Sequence, residues 1–209
     1  MKVIDWYFDF VSGYAYLQFE QLDRLPGDVS IRFKPILFAG LLNHFGHIGP
    51  AELLPKRLHT YRHWIWLGEQ LDIPLQMPPA HPFNSLAALR LAIACGGGRD
   101  VMATIFRFIW REGRDTGDAD EVAELAARLG VADASAALAA DSVKAKLRAN
   151  TEEAAARGVF GVPTSMVDKQ PFWGLDATDM LIAYLEDTHR FDSDAYRRVQ
   201  DLPVGASRK

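Results

Sequence analysis

Val3 to Val11 alternates in a way that only an extended chain can bury: Ile4, Trp6, Phe8 and Phe10 share one face, and Asp5 and Asp9 fall on the other. Ser12 and Gly13 break the pattern. Ala15, Phe19, Leu22 and Leu25 then recur at helical spacing until Pro26-Gly27 closes the element. Val29, Ile31 and Phe33 alternate with Ser30, Arg32 and Lys34, giving a second strand that Pro35 blunts. The chain therefore opens strand, helix, strand, with a serine at the first strand–helix junction.

Between residues 40 and 149 the pattern changes. Helical segments are predicted over 55–71, 86–95, 102–111, 120–129 and 135–149. Gly96-Gly97-Gly98, Gly113, Gly117 and Gly130 stand between them as breaks, and no internal repeat emerges. The tail returns to mixed structure. Residues 150–157 continue a helix that ends at Gly158, and 164–167 with 171–173 read as a hairpin around Asp168-Lys169-Gln170. Asp176 opens a final helix through Leu185, and Ala206 to Lys209 read as a loose tail.

The sum is an α/β chain: strand–helix–strand, a helical insert, then helix–strand–strand–helix. That order predicts a thioredoxin-like fold with an all-helical domain inserted after the first strand–helix–strand unit. Residues 1–39 and 150–209 form the thioredoxin-like domain, and 40–149 the insert. Where such a scaffold carries Cys-x-x-Cys, this chain has Ser12-Gly13-Tyr14-Ala15. A thiol site without a thiol suggests that the sulfur arrives with a bound molecule.

Composition excludes several alternatives. A net charge of -4 gives no general attraction to nucleic acid or to an anionic membrane. No apolar run reaches the roughly 18 residues of a membrane span. Met1-Lys2-Val3-Ile4-Asp5 places an acid where a signal peptide has its apolar centre, so a cytoplasmic protein is expected. The single cysteine, Cys95, excludes an internal disulfide and a cysteine-based zinc site, and its apolar helix reads as core. The histidines show no metal-ligand spacing, and no metal is expected.

Several residues have two readings each. Ser12 serves as an N-cap or as a hydroxyl donor beside an anion, and both can hold at once because helix N-termini favour negative charge and lower thiol pKa values. No Ser-His-Asp order activates it as a nucleophile. Pro163 is either a plain strand entrance or the second residue of a cis Val162–Pro163 bond whose Val162 backbone pairs with a peptide-like ligand. Asp176 caps the last helix or binds a ligand ammonium. Lys56 and Arg57 are solvated charges or carboxylate binders. His81 and Asn84, in the proline-rich stretch 78–84, are connectors or orient an apolar substrate. The run 59–66, rich in His, Tyr and Trp, reads as a helix with a buried aromatic stripe.

Phe8-Asp9-Phe10-Val11-Ser12-x-Tyr14, His81-Pro82-Phe83-Asn84, residues 159–164 and Trp173-Gly174-x-Asp176 together resemble the 2-hydroxychromene-2-carboxylate isomerases, relatives of κ-class glutathione transferases and periplasmic disulfide oxidoreductases. The similarity covers nearly the whole chain, with the motifs in the expected order. It implies a glutathione-dependent isomerase, usually a homodimer, of aromatic compound catabolism. By the same resemblance Ser12 is the catalytic contact to the glutathione sulfur. Val162 before Pro163 pairs with the tripeptide backbone, and Trp173, Gly174, Leu175 and Asp176 hold the γ-glutamyl end. Lys56 lines the remaining cofactor space, with Tyr14, His47, His81 and Asn84 on the substrate side. Three positions depart from the pattern: Gly13 replaces a proline, His47 an asparagine, and Ala177 an arginine.

The implied chemistry is reversible thiolate addition to a conjugated double bond, which becomes single, rotates and re-forms as the thiolate leaves. Competing readings are a κ-like glutathione transferase or peroxidase, a non-catalytic binder of extended peptides, and, without its cysteine pair, a disulfide oxidoreductase.

Overall fold

The computed structural model describes residues 2–206 of the chain; Met1 and the last three residues of the expected loose tail lie outside the described residues. Four strands form one sheet: β1 (Lys2–Phe8), β2 (Val29–Pro35), β3 (Thr164–Val167) and β4 (Gln170–Trp173). Their order is β2-β1-β3-β4. β1 runs parallel to β2, with Ile4 opposite Ile31, and antiparallel to β3, with Trp6 opposite Ser165. The short helix α1 (Gly13–Phe19) links β1 to β2. This is the expected thioredoxin-like arrangement.

The insert is helical: after α2 (Phe38–Phe45), which the spacing does not predict, come α3 (Leu54–Leu71), α4 (Leu86–Ala94), α5 (Arg99–Trp110), α6 (Ala119–Arg128) and α7 (Ala134–Ala139) over the segments predicted as helical. α8 (Asp141–Ala156) follows and leads into β3, and α9 (Thr178–Glu186) and α10 (Asp194–Gln200) end the chain. The expected junction between residues 149 and 150 falls inside α8, which passes through it unbroken.

Local differences have local causes. β1 stops at Phe8 rather than reaching Val11, because Asp9 starts a turn that Ser12 N–H closes on the Asp9 carbonyl at 3.1 Å. The first helix ends at Phe19 and a separate 3-10 turn covers Leu22–Arg24. The segment predicted as one helix over 135–149 breaks at Ala140, whose ψ of 126° leaves the helical region. A 3-10 turn at Leu175–Ala177 precedes α9, so Asp176 lies before the final helix and its side chain does not cap it.

Period-2 alternation in β1 sorts two layers. Trp6 and Phe8 stack at 4.6 Å between ring centroids, and Phe106 of α5 packs against Phe8 at 5.5 Å and Phe10 at 4.6 Å. Each such buried aromatic contributes about 1.5–3 kcal/mol, so the insert shares the main core rather than forming its own. On the opposite face, Tyr7 packs with Ile36, Leu41, Ala154 and Met166. The buried Asp5 there is held by Arg32 at 2.6 and 2.8 Å and by Arg157 at 2.5 Å.

Candidate active site

Ser12 sits where β1 gives way to α1, and its surroundings fix it closely. Its Oγ accepts from Ala15 N–H at 3.2 Å as N-cap and donates to the Val162 carbonyl at 3.5 Å. That second bond is at the long limit and easily exchanged. The N–H groups of Gly13 and Tyr14, in the first turn of α1, and of Val162 have no acceptor among the described residues. Val162–Pro163 is cis, as is His81–Pro82.

The turn before Ser12 is clamped from two sides. The buried Asp9 carboxylate accepts from Val11 N–H at 3.1 Å and from Phe38 N–H at the start of α2 at 2.9 Å. Burial pushes the Asp9 pKa up, with hydrogen bonds from Ser85, Phe38 and Val11 opposing it. His81 Nε2 faces the Val11 carbonyl at 2.7 Å, which requires the proton on Nε2, and its Nδ1 lies 2.7 Å from the Tyr61 hydroxyl. Both ring nitrogens are therefore engaged within the protein, and His81 braces the turn that carries Ser12. Gly13 lies beneath Trp64: a Cβ there would come within 2.6 Å of Trp64 Cδ2. The glycine thus fits beneath a ring that leaves no space for a side chain.

Gln18 was not legible as a site residue. From α1 it accepts from Trp6 Nε1–H at 2.7 Å and donates to the Gly174 carbonyl and to Thr178 Oγ1, both at 3.0 Å. It ties the first helix to the Trp173–Asp176 loop. An amide on the buried face of an apolar helix was the available signal. Gly174 takes φ 92°, where a Cβ would lie 2.3 Å from Asp176 Oδ1. Trp173 is about half exposed and packs edge-on against Phe160 at 5.0 Å.

These elements enclose a cavity of about 950 Å³. Ser12, Tyr14, His47, His81, Asn84, Val162 and the stretch Trp173 to Asp176 all line it, so sequence reasoning brought most of one wall together. Lys56 is exposed and does not line the cavity; it points away because α3 turns its other face, with Thr60, His63 and Trp64, inward. Pro163 does not line it either, although Val162 beside it does. Asn84 Oδ1 is used on Leu86 N–H at 3.0 Å, which leaves its Nδ2 donors free among the described residues. Tyr14 and His63 share a hydrogen bond, hydroxyl to Nδ1, at 2.9 Å. Burial, and then the charge of Asp176, push the Tyr14 pKa up, so its hydroxyl stays protonated at neutral pH.

Among the described residues there is no cluster suited to a metal ion, and no helix is long and apolar enough to cross a membrane. Cys95 ends α4 away from this wall, its pKa raised by burial.

Comparison with known proteins gives consistent likenesses. A family model described as DSBA-like thioredoxin domain matches residues 3–186. The chain is 30% identical over 198 residues to a 2-hydroxychromene-2-carboxylate isomerase of Sphingobium xenophagum, covering 89% of this chain and 99% of that protein. It is 28% identical over 178 residues to glutathione S-transferase kappa 2 of Caenorhabditis elegans, covering 78% and 79%. A solved structure of a 2-hydroxychromene-2-carboxylate isomerase superposes with a TM-score of 0.76 at 26% identity, covering 92% of this chain and 98% of that one.

Proposed function

The chain belongs to the DSBA-like thioredoxin domain family and, within it, to the kin of the 2-hydroxychromene-2-carboxylate isomerases; from that premise we propose that it is a glutathione-dependent cis–trans isomerase of 2-hydroxychromene-2-carboxylate or a similar aromatic acid. The observation that carries the reading is the meeting of Ser12 Oγ and the Val162 carbonyl at 3.5 Å on the wall of the cavity, beside backbone N–H groups without acceptors among the described residues. A peptide-like thiol fits such a wall: an extended backbone pairs with Val162, and a thiolate meets the Ser12 hydroxyl and the Gly13 and Tyr14 N–H groups. When bound, glutathione supplies a nucleophile that adds reversibly to a conjugated double bond and so lets it rotate.

The protein's own groups do the rest. Ser12 exchanges its long bond to Val162 for a shorter one to the anion, stabilising thiolate at neutral pH. The free Nδ2 donors of Asn84 suit the oxygen on which negative charge develops. The apolar wall formed by Phe38, Leu42, Trp64 and Phe83 excludes water and holds a flat ring. Asp176, unused as a helix cap, is left to meet an ammonium group at the loop that Gln18 braces. By the same resemblance the working unit is a homodimer.

The test is a calorimetric titration of the purified protein with glutathione, with thiolate absorbance followed in parallel. Binding with a lowered thiol pKa supports the reading, and no binding overturns it. The likeness to a κ-class transferase favours a second reading, conjugation of simple electrophiles. Conjugation of an aryl halide without isomerisation of the chromene acid selects that one.

A further inference from the structure

We propose that the paired Tyr14 hydroxyl and His63 imidazole read the carboxylate of the aromatic acid, in place of the lysine or arginine that an organic acid ordinarily meets. The inference rests on the isomerase reading for the presence of an acid in the cavity, and on the wall itself for the means of holding it.

The charge inventory of the wall is unusual. Among the described residues it carries three acids, Asp9, Glu52 and Asp176, and no lysine or arginine. Positive charge among these residues can come only from His47, His63 and His81. His81 is spent: both ring nitrogens are bonded, and burial, reinforced by Arg57 against the Val11 bond, lowers its pKa. His47 lies exposed, and its ring bonds to nothing among the described residues. His63 is half-buried and held by Tyr14, and among the described residues its Nε2 has no partner.

The chemistry of the pair suits a carboxylate. With a proton on both nitrogens, His63 Nδ1–H donates to the Tyr14 oxygen. The Tyr14 O–H is then free to donate outward, so a cation and a hydroxyl donor act together. With His63 neutral the charge is lost, and the nearby acids then disfavour a second anion. The groups around the pair are identifiable. His59 and Trp66 of α3 stack on His63, each at 5.8 Å, and Trp64 meets Tyr14 edge-on at 5.6 Å. Asp176 acts on Tyr14 from the loop before α9, while Glu52 and Asp9 share the wall and Arg57 acts on Tyr61 and His81 from outside it. Affinity for an acid therefore depends on the charge of His63, and affinity for an uncharged isostere does not.

The experiment uses cinnamate and cinnamamide as probes of the full chain without glutathione, with binding read by tryptophan quenching between about pH 5 and pH 8. Cinnamate is predominantly ionised throughout and should weaken at least about tenfold across the range, while cinnamamide changes less than about twofold. His63→Gln should flatten the cinnamate profile. Tyr14→Phe should weaken cinnamate by about tenfold at the acid end and leave the slope in place. A flat wild-type profile overturns the inference. So does a slope that survives His63→Gln and disappears in His47→Gln. Circular dichroism verifies that each variant is folded, and a second replacement, His63→Asn, repeats the measurement if the first is not. Because glutathione is absent, the two readings fail separately: a protein that does not bind glutathione can still show the cinnamate slope, and the reverse.

Discussion

Trp64 of α3 lies over Gly13 at the start of α1, so close that a Cβ on the glycine would stand 2.6 Å from the ring. The inserted helix thus rests directly on the residue after Ser12. Gly13→Ala should cost about 1–3 kcal/mol by overpacking, read as a lower urea midpoint at unchanged slope. It should also raise the apparent pKa of bound glutathione thiol, since the ring and the turn must separate. Unchanged stability would mean that Trp64 moves aside without cost.

Ser12→Ala removes one N-cap acceptor, the bond to Ala15 N–H, and one hydroxyl donor toward the cavity. Stability should fall by about 1 kcal/mol. Turnover should fall by more than stability explains, with the thiol pKa shifted up in thiolate absorbance. Equal turnover and an unmoved pKa would leave Ser12 as a cap alone.

His81 gives a pH signature in folding. Its pKa is lowered by burial, with Arg57 adding to this and the Val11 bond opposing it. A depressed folded pKa means stability that is present above the unfolded value of about 6.5 and lost as pH falls through the folded value. Asp9, with its raised pKa, works in the opposite sense, gaining stability on protonation. The measurable quantity is therefore the difference between wild type and His81→Gln in urea unfolding below about pH 6.5. The variant keeps a donor for the Val11 carbonyl and should lose less stability on acidification. His81→Leu, which removes the donor, should cost about 1–3 kcal/mol and lower turnover by loosening the Ser12 turn.

Asp5 is the buried charge on the opposite face of the sheet. Burial opposes its ionisation, but hydrogen bonds from Arg32 and Arg157 outweigh it and hold the carboxyl below the usual range. Its stabilisation is present above the unfolded pKa of about 3.9 and lost as pH falls through the lower folded value. Arg157→Met should cost about 2 kcal/mol, less than a fully broken buried pair because Arg32 remains. Its acid-unfolding midpoint should move to higher pH. An unmoved midpoint would assign the hold on Asp5 to Arg32 alone.

Much of this arrangement was legible because it depends on local periodicity. The alternation of β1, the break at Ser12 and the helical spacing of the insert each follow from one segment's own pattern. The ordered motifs supplied one wall of the cavity, from Ser12 and Tyr14 to Val162 and the stretch Trp173 to Asp176, but not the wall from α2 and α3. What escaped depends on partners distant in sequence. α2 was hidden because Leu37, Phe38, Leu41 and Leu42 sit with Gly40 in a short stretch where helix and loop patterns look alike. Asp176 had the chain position of a cap, but the intervening 3-10 turn carries it out of line. His81 was read as part of a connector or as a substrate-orienting group, and no local signal reveals that its two nitrogens meet Val11 and Tyr61. Lys56 was placed by motif, and only the orientation of α3 directs it to solvent.

α8 is one uninterrupted rod that bears on α4 and α7 and, through Asn150 and the Pro35 carbonyl at 3.0 Å, on β2. A one-residue insertion in α8 would therefore displace its contacts with α4 and α7 and its bond to β2 together.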